Sequence, residues 1–223
     1  MKIKINKIIR SKRKTIGLQI TNKASLIVRA PIFISSKYIK KLVEKKSGWI
    51  EKKQKDILEK SKNFKEKEFI DGEYFLYLGH KYKLKFVSHQ EKNIIFDKKF
   101  YIPKNRQNNT KDIFENWYKK KALEKITQRI KFFSKYNNFA YKKIKLSNAN
   151  TRWGTCGKNN NLIFSWKLIM APLKVIDYVV VHELAHLIHK NHSPNFWKEV
   201  KLILPNYKKE KTWLKDNGYL LKI

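Results

Sequence analysis

Residues 172–192 read PLKVIDYVVVHELAHLIHKNH, and this stretch decides the fold prediction for the C-terminal part of the chain. Apolar side chains recur along it at the three- and four-residue spacing of a helix that is buried in a core. Pro172 is expected in the first turn, where the missing N–H of proline costs no hydrogen bond. The helix carries the pattern HExxH over residues 182–186.

The two histidines of this pattern are four residues apart, so they share one face of the helix. Side chains placed in this way can both reach one metal ion at about 2.0–2.1 Å, the usual Zn–N distance. Glu183 lies beside them, where a carboxylate can hold a metal-bound water without binding the metal itself. Ionisable groups on a buried helix cost free energy unless they are paired or liganded. The pattern therefore predicts a Zn²⁺ site that includes His182 and His186.

A catalytic zinc site needs a third protein ligand and one open position. His189 follows His182 by seven residues, about 10.5 Å along the helix axis, which is too far for both to bind one ion easily. His192 can bind if the helix ends first, and residues 190–191 offer an end because Asn tolerates the left-handed conformation. His192 is therefore preferred as the third ligand, with His189 as the second choice and Glu199 as the third.

Two neighbouring features refine this prediction. Ser193-Pro194 has the sequence of a helix cap followed by a first helical turn, so a new helix is expected directly after His192. Cys156 is the only cysteine of the chain, which excludes an internal disulfide bond. Its thiol is a candidate fourth ligand of a structural zinc site, or else a small buried apolar side chain.

The charge of the chain is strongly positive. The 223 residues include 52 Lys and Arg against 18 Asp and Glu, a formal net charge of +34, which excludes a protein with an acidic surface. Only six of the basic residues are Arg, the side chain best suited to bidentate phosphate contacts, and the lysines are scattered along the chain. A compositional bias toward Lys is the favoured interpretation, and weak binding of polyanions or nucleic acids at low salt is the alternative.

The sequence offers no candidate for membrane insertion. No segment approaches the roughly 20 apolar residues that a membrane-spanning helix needs. Residues 1–14 carry a charge at nearly every second or third position, whereas a signal peptide needs an apolar core there. A cytoplasmic protein without a membrane partner is therefore expected.

The rest of the chain predicts an α+β fold with two lobes. Residues 1–104 are expected to form a mostly β N-terminal lobe with one long helix over 35–62, and residues 105–223 a zincin-like lobe with the HExxH helix and a small antiparallel sheet. Strands are predicted at 2–9, 14–20, 25–30, 144–149 and 161–169, hairpins at 69–87 and 93–102, and a long amphipathic helix at 111–136. The strand at 161–169 is also a candidate edge strand that could pair with an extended peptide.

Three segments of the sequence resemble a known family. They read TRWGTCGKNNNLIFSWKLIMAP, IDYVVVHELAHLIHKNHSPNFW and PNYKKEKTWL, and they are similar to the YgjP-like metallopeptidases, which are related to the SprT-like zincins. The resemblance extends over the whole chain and departs from the family pattern at Thr155, where Ser is usual. It implies zinc bound by His182, His186 and His192, with Glu183 as the general base.

The expected function is that of a zinc metallopeptidase that cleaves a peptide or protein substrate. The oxyanion of the transition state needs a donor besides the metal, and Arg152 is the first candidate because it lies just before the strand that leads to the active helix. Tyr178 and Tyr207 are weaker candidates. Hydrolysis of a nucleotide phosphoanhydride and non-catalytic nucleic-acid binding with a structural zinc are the alternative functions.

Overall fold

The computed structural model describes residues 3–21, 23–62, 65–135, 139–149 and 152–223, and it describes no side chains at 60–62. Within these ranges the fold is α+β, with six α-helices and three small sheets that each mix parallel and antiparallel pairing. The chain divides into two compact units, Met1–Lys65 and Glu66–Ile223. The lobe boundary predicted between residues 104 and 105 falls inside the second unit, and as a division between domains it stays a prediction.

The first unit consists of a three-stranded sheet and two helices. Its elements are β1 (Ile5–Ser11), β2 (Gly17–Ile20), β3 (Leu26–Pro31), α1 (Ser36–Lys45) and α2 (Ser47–Lys62). The strand order is β1-β3-β2, so β3 is central, and alternate residues of β3 are fully buried together with apolar residues of both helices. This alternation is the period-2 pattern that predicts a half-buried strand.

The helix predicted over 35–62 is two helices in the structure. They are separated at Lys46, whose backbone angles (φ −104°, ψ 14°) are not helical. The N–H of Lys46 donates to the carbonyls of both Leu42 and Val43, so the last turn of α1 is tightened at this point. Apolar spacing continues across the break, which is why periodicity alone does not reveal it.

The second unit contains the other two sheets and four helices. Its first half comprises β4 (Tyr74–Tyr77), β5 (His80–Val87), β6 (Ile95–Phe96), β7 (Phe100–Pro103) and α3 (Thr110–Ser134). Its second half comprises β8 (Ile144–Ser147), β9 (Gly154–Cys156), β10 (Leu162–Ser165), α4 (Leu173–Ile188), α5 (Pro194–Ile203) and α6 (Tyr207–Asn217). The strand orders are β4-β5-β7-β6 and β8-β10-β9. Residues 104–109, at the predicted lobe boundary, form a 3₁₀-helix that leads into α3.

The candidate edge strand at 161–169 is not an edge strand. β10 pairs in parallel with β8 and antiparallel with β9, so it lies in the centre of its sheet and cannot accept a further strand. Its Leu162 and Phe164 are fully buried, and residues 166–170 are a 3₁₀-helix. The prediction was wrong because a short apolar run has the same appearance in a central strand and in an edge strand.

The HExxH pattern lies on α4, and both ends of this helix are fixed by other elements. At the start, the β4–β5 turn donates N–H groups of Leu78 and Gly79 to the carbonyls of Ile169 and Met170. Both turn residues have positive φ, and a Cβ on Gly79 would lie 2.9 Å from Cα of Pro172. Glycine therefore permits this turn to pack directly on the residue that precedes α4.

The body of α4 is held in the core of the second unit. Ten of its sixteen residues are buried, including Asp177. That carboxylate pairs with Arg129 of α3, with 3.0 Å between Nη2 and Oδ2. Burial nevertheless raises the pKa of Asp177, since desolvation outweighs the hydrogen bond and the charge of Arg129. In the parts of the chain that the structure describes, no helix is long and apolar enough to cross a membrane.

Candidate metal centre

His182, His186 and His192 converge at one point beside α4. Each offers one ring nitrogen, and these three nitrogens lie within 4.8 Å of one another. The Nε2 atoms of His182 and His192 are 3.0 Å apart. Two nitrogens at about 2.0–2.1 Å from a common tetrahedral ion would be about 3.4 Å apart, so this spacing suits one small cation. Three imidazoles form a donor set that Zn²⁺ prefers.

His192 reaches this point because α4 ends early. The helix stops at Ile188, and His189 is extended (φ −115°, ψ 105°), so the chain turns before the Lys-Asn pair that was expected to end the helix. Ser193 then caps α5, its Oγ accepting from N–H of Phe196 at 3.4 Å, with Pro194 in the first turn. The cap and the start of the new helix agree with the sequence prediction.

His189 does not occupy the position of a third metal ligand, for which it was the second choice. It is not a member of the histidine group, but its carbonyl lies 2.9 Å from Nδ1 of His186. A hydrogen bond from this Nδ1 to a carbonyl fixes the tautomer and leaves Nε2 free to bind a metal. Among the described residues, neither Glu199 nor Cys156 belongs to the group.

Glu183 lies in a space that β9 shapes for it. Its side chain is only 4% exposed, and the backbone N–H of Cys156 donates to it. A Cβ on Gly154 would lie 2.5 Å from Oε1 of Glu183, so glycine is needed at this point of β9. Burial raises the pKa of Glu183 to about 8, although the Cys156 hydrogen bond opposes this rise.

Two buried polar atoms of the site have no hydrogen-bond partner among the described residues, namely Oε2 of Glu183 and Nδ1 of His182. An orphaned buried acceptor is costly, and such atoms commonly face an ion, a water or a substrate. Burial and the neighbouring histidine charges lower the pKa of His182 to about 3 and also lower the pKa of His192. Neutral imidazole is the form that binds metals, so the residues present fit a divalent cation.

Aromatic rings surround the three imidazoles. The Phe196 ring is in contact with all of them, at centroid distances of 4.5–4.9 Å. Trp197 stacks on His192 at 5.7 Å, Tyr207 stacks on Trp197 at 5.4 Å, and Tyr178 stacks on Tyr207 at 6.3 Å. These packed rings restrict the rotamers of the imidazoles and keep one side of the site apolar.

The candidate oxyanion donors occupy different surroundings. Arg152 is exposed and is the first residue of the range 152–223, and among the described residues it makes no hydrogen bond or ion pair with the histidines or with Glu183. Tyr178 is buried edge-on against His182 at 5.9 Å, and burial raises its pKa to about 12, so its hydroxyl stays protonated. Tyr207 is buried in the aromatic stack.

The sequence of the chain matches one protein-family model, described as YgjP-like, metallopeptidase domain, over residues 14–217. The chain belongs to the YgjP-like family. This match confirms the resemblance noted on the sequence motifs. It also supports a metallopeptidase type of activity and a bound metal ion in general terms. Searches of curated proteins and of solved structures gave no significant match.

Three residues of the site were missed in the sequence. Gly154 lies in a strand, where glycine often marks close approach of another group. Phe196 and Lys211 are one or two helices beyond the motif. Their spacing carries no signal that Phe196 would contact the histidines or that Lys211 would lie over the Trp197 ring. Only the tertiary packing of α5 and α6 against α4 brings them there.

We expect His192→Ala to weaken zinc binding by about 100-fold or more, because the group would lose one of three ligands. His189→Ala is the matched control: it removes an imidazole three residues away and keeps the backbone carbonyl that faces His186. Both variants are compared by their metal content after dialysis and by their zinc affinity in competition with a chromophoric chelator. Equal zinc affinity of His192→Ala and the unsubstituted protein would exclude His192 as a ligand.

The metal-free protein should lose stability as pH rises from about 6.5 to 8. Glu183 has a folded pKa of about 8, raised from 4.5, so the folded state binds a proton that the unfolded state has released. His182, with its pKa lowered from 6.5 to about 3, makes the free energy of unfolding rise with pH, but only below pH 6.5. The slope should be on the order of 1 kcal/mol per pH unit.

Urea unfolding at several pH values, with a chelator present, measures this slope. Glu183→Gln cannot titrate and should remove most of the fall between pH 6.5 and 8. An unchanged slope in that variant would show that another group is responsible.

Proposed function

We propose that this chain is a zinc-dependent metallopeptidase in which His182, His186 and His192 hold the metal and Glu183 is the general base. The observation that carries the proposal is the pairing of two features at one place. Three imidazole nitrogens lie within 4.8 Å of one another, and the next residue after His182 is a buried carboxylate with one unpartnered oxygen. This combination matches the ligand-and-base arrangement that metal-assisted hydrolysis requires.

The proposed roles follow from the surroundings of each side chain. A zinc ion at the three imidazoles would lower the pKa of a bound water toward about 7. Glu183 accepts the proton of the attacking water, and burial makes its protonated form stable enough to persist at neutral pH. The same carboxyl group can then return the proton to the leaving amine. The N–H of Cys156 and the space at Gly154 keep the carboxylate in place during both transfers.

Arg152 remains the proposed oxyanion donor. It is exposed and stands two residues before Gly154, so it lies just before the strand that seats Glu183. An exposed guanidinium is free to turn toward a bound substrate, and its fork of N–H donors suits an oxyanion.

Binding of a polyanion is proposed as a separate property of residues 1–65. This unit contains 20 Lys and Arg but four Asp and Glu, a net charge of +16 within less than a third of the chain. The positive charge is thus denser here than in the unit with the histidines, which favours attraction of anionic partners at low salt.

Glu183→Gln should keep the metal and lower kcat by about 10²- to 10⁴-fold, the usual contribution of a general base. Casein and nucleoside triphosphates, tested side by side with zinc or manganese, identify the substrate class. Loss of casein cleavage in the variant supports the peptidase. Loss confined to triphosphate hydrolysis would point to phosphoanhydride chemistry instead. Both enzyme functions would be contradicted if the unsubstituted protein cleaved neither substrate and Glu183→Gln left nucleic-acid binding unchanged.

Gly154→Ala should lower kcat by about 100-fold and leave zinc content unchanged, because the three atoms nearest to the new Cβ all belong to Glu183 and the carboxylate would be displaced. Gly157→Ala is the matched control directly after β9, since a Cβ there meets only atoms of Asn161, at 3.5 Å or more. Steady-state kinetics with metal analysis on both variants make the comparison. Full activity of Gly154→Ala would mean that Glu183 does not need its present position.

A further inference from the structure

Lys211 places a positive charge next to the histidine group. It lies on α6, and its Nζ is 3.9 Å from the centre of the Trp197 ring. Trp197 in turn stacks on His192 at 5.7 Å and 23° between ring planes. A cation over the face of an indole is attracted by the ring, so the ammonium group of an otherwise exposed lysine is held in a defined place.

The charge of Lys211 lies close to the candidate metal ligands, because its ammonium group sits over the ring that stacks on His192. Lys211 forms no ion pair with a carboxylate of the described residues, so its charge is not neutralised by a salt bridge there. The ring covers one side of the ammonium group, and donors on its other side remain available to a ligand.

The surroundings of the site are therefore electropositive. The imidazoles that would bind the metal are neutral, so the positive charge comes from Lys211 and, in the proposed function, from a divalent cation. Glu183 opposes it, and its side chain is buried against β9. A substrate with a negative group near the bond to be cleaved would meet complementary charge, whereas a positive group at the same point would be repelled.

We infer that Lys211 is a specificity residue that binds a carboxylate of the substrate close to the cleaved peptide bond. The inference rests on the proposed function. The contact is a charge-assisted hydrogen bond from Nζ to the carboxylate, with Trp197 as the support that positions the donor. It selects among peptides and differs from a role in stabilising the oxyanion, which every peptide substrate would need equally.

The test uses internally quenched peptides that are Ala at every position near the cleaved bond except one, which carries Glu, Gln or Lys. In successive peptide sets this one position is moved along both sides of the cleaved bond. We expect kcat/KM for the Glu peptide to exceed that for the Gln peptide by about threefold to tenfold at one position, the range of a partly exposed charged contact. The Lys peptide should be the poorest at that position.

Lys211→Met keeps an apolar stem on the Trp197 ring and removes the charge, so it should abolish the Glu preference and leave the Gln peptide unchanged. Lys211→Glu should reverse the order and favour the Lys peptide. Lys209→Met is the matched control, because residues two apart on a helix do not share a face, and it should behave like the unsubstituted protein. Melting temperature and zinc content show whether each variant is folded and loaded.

A readout without turnover accompanies the kinetics. Binding of the Glu and Gln peptides to the metal-free protein, followed by calorimetry, should show the same preference and its loss in Lys211→Met. The inference is overturned if Lys211→Met keeps the Glu preference, or if its kcat/KM falls equally for all three peptides. Neither result would contradict the proposed peptidase function. Failure of the unsubstituted protein to cleave any peptide overturns the proposed function itself, and hydrolysis of nucleoside triphosphates alone would assign Lys211 to phosphate instead.

Discussion

The site depends on holding four ionisable side chains of one short segment together at the edge of an apolar core, where Glu183 is buried, His182 and His186 are partly buried and His192 is exposed. Burial, helped by neighbouring positive charge, lowers the pKa of His182 to about 3, and burial raises that of Glu183 to about 8, so both residues are driven to their neutral forms. Neutral imidazoles bind metals, and a carboxyl group with a raised pKa can take up and release a proton near neutral pH. A cation bound by the imidazoles would offset the desolvation of Glu183. The chemistry and the stability of the unit are thus linked through the same groups.

The rest of the second unit makes this arrangement possible by fixing where α4 begins and ends. The turn at Leu78 and Gly79 bonds to the carbonyls just before Pro172, so the start of the helix is tied to the β4–β5 hairpin. The extended His189 ends it one turn after His186, and the short return brings His192 back to the same face. One more turn of helix would carry His192 away from the other two rings.

The sequence predicted the parts of this structure that are local. HExxH, the Ser-Pro cap and the short interval to His192 lie within thirteen residues, and helix geometry alone relates them. The resemblance to the YgjP-like family was confirmed over most of the chain. What the sequence did not reveal depends on contacts between distant segments. The central position of β10, the strand character of Gly154 and the place of Lys211 are all set by tertiary packing, which periodicity does not encode.

The division between local and distant contributions has a chemical consequence. The three imidazoles come from one continuous segment, whereas the seat of Glu183 is built by β9, about thirty residues earlier in the chain. Lys211 comes from α6, well after the ligands. Metal binding, proton transfer and substrate charge recognition are therefore carried by separate elements that meet at one point. Packing of β9 and α6 against α4 couples them, so a change in either element can alter turnover or selectivity while the imidazole cluster itself stays intact.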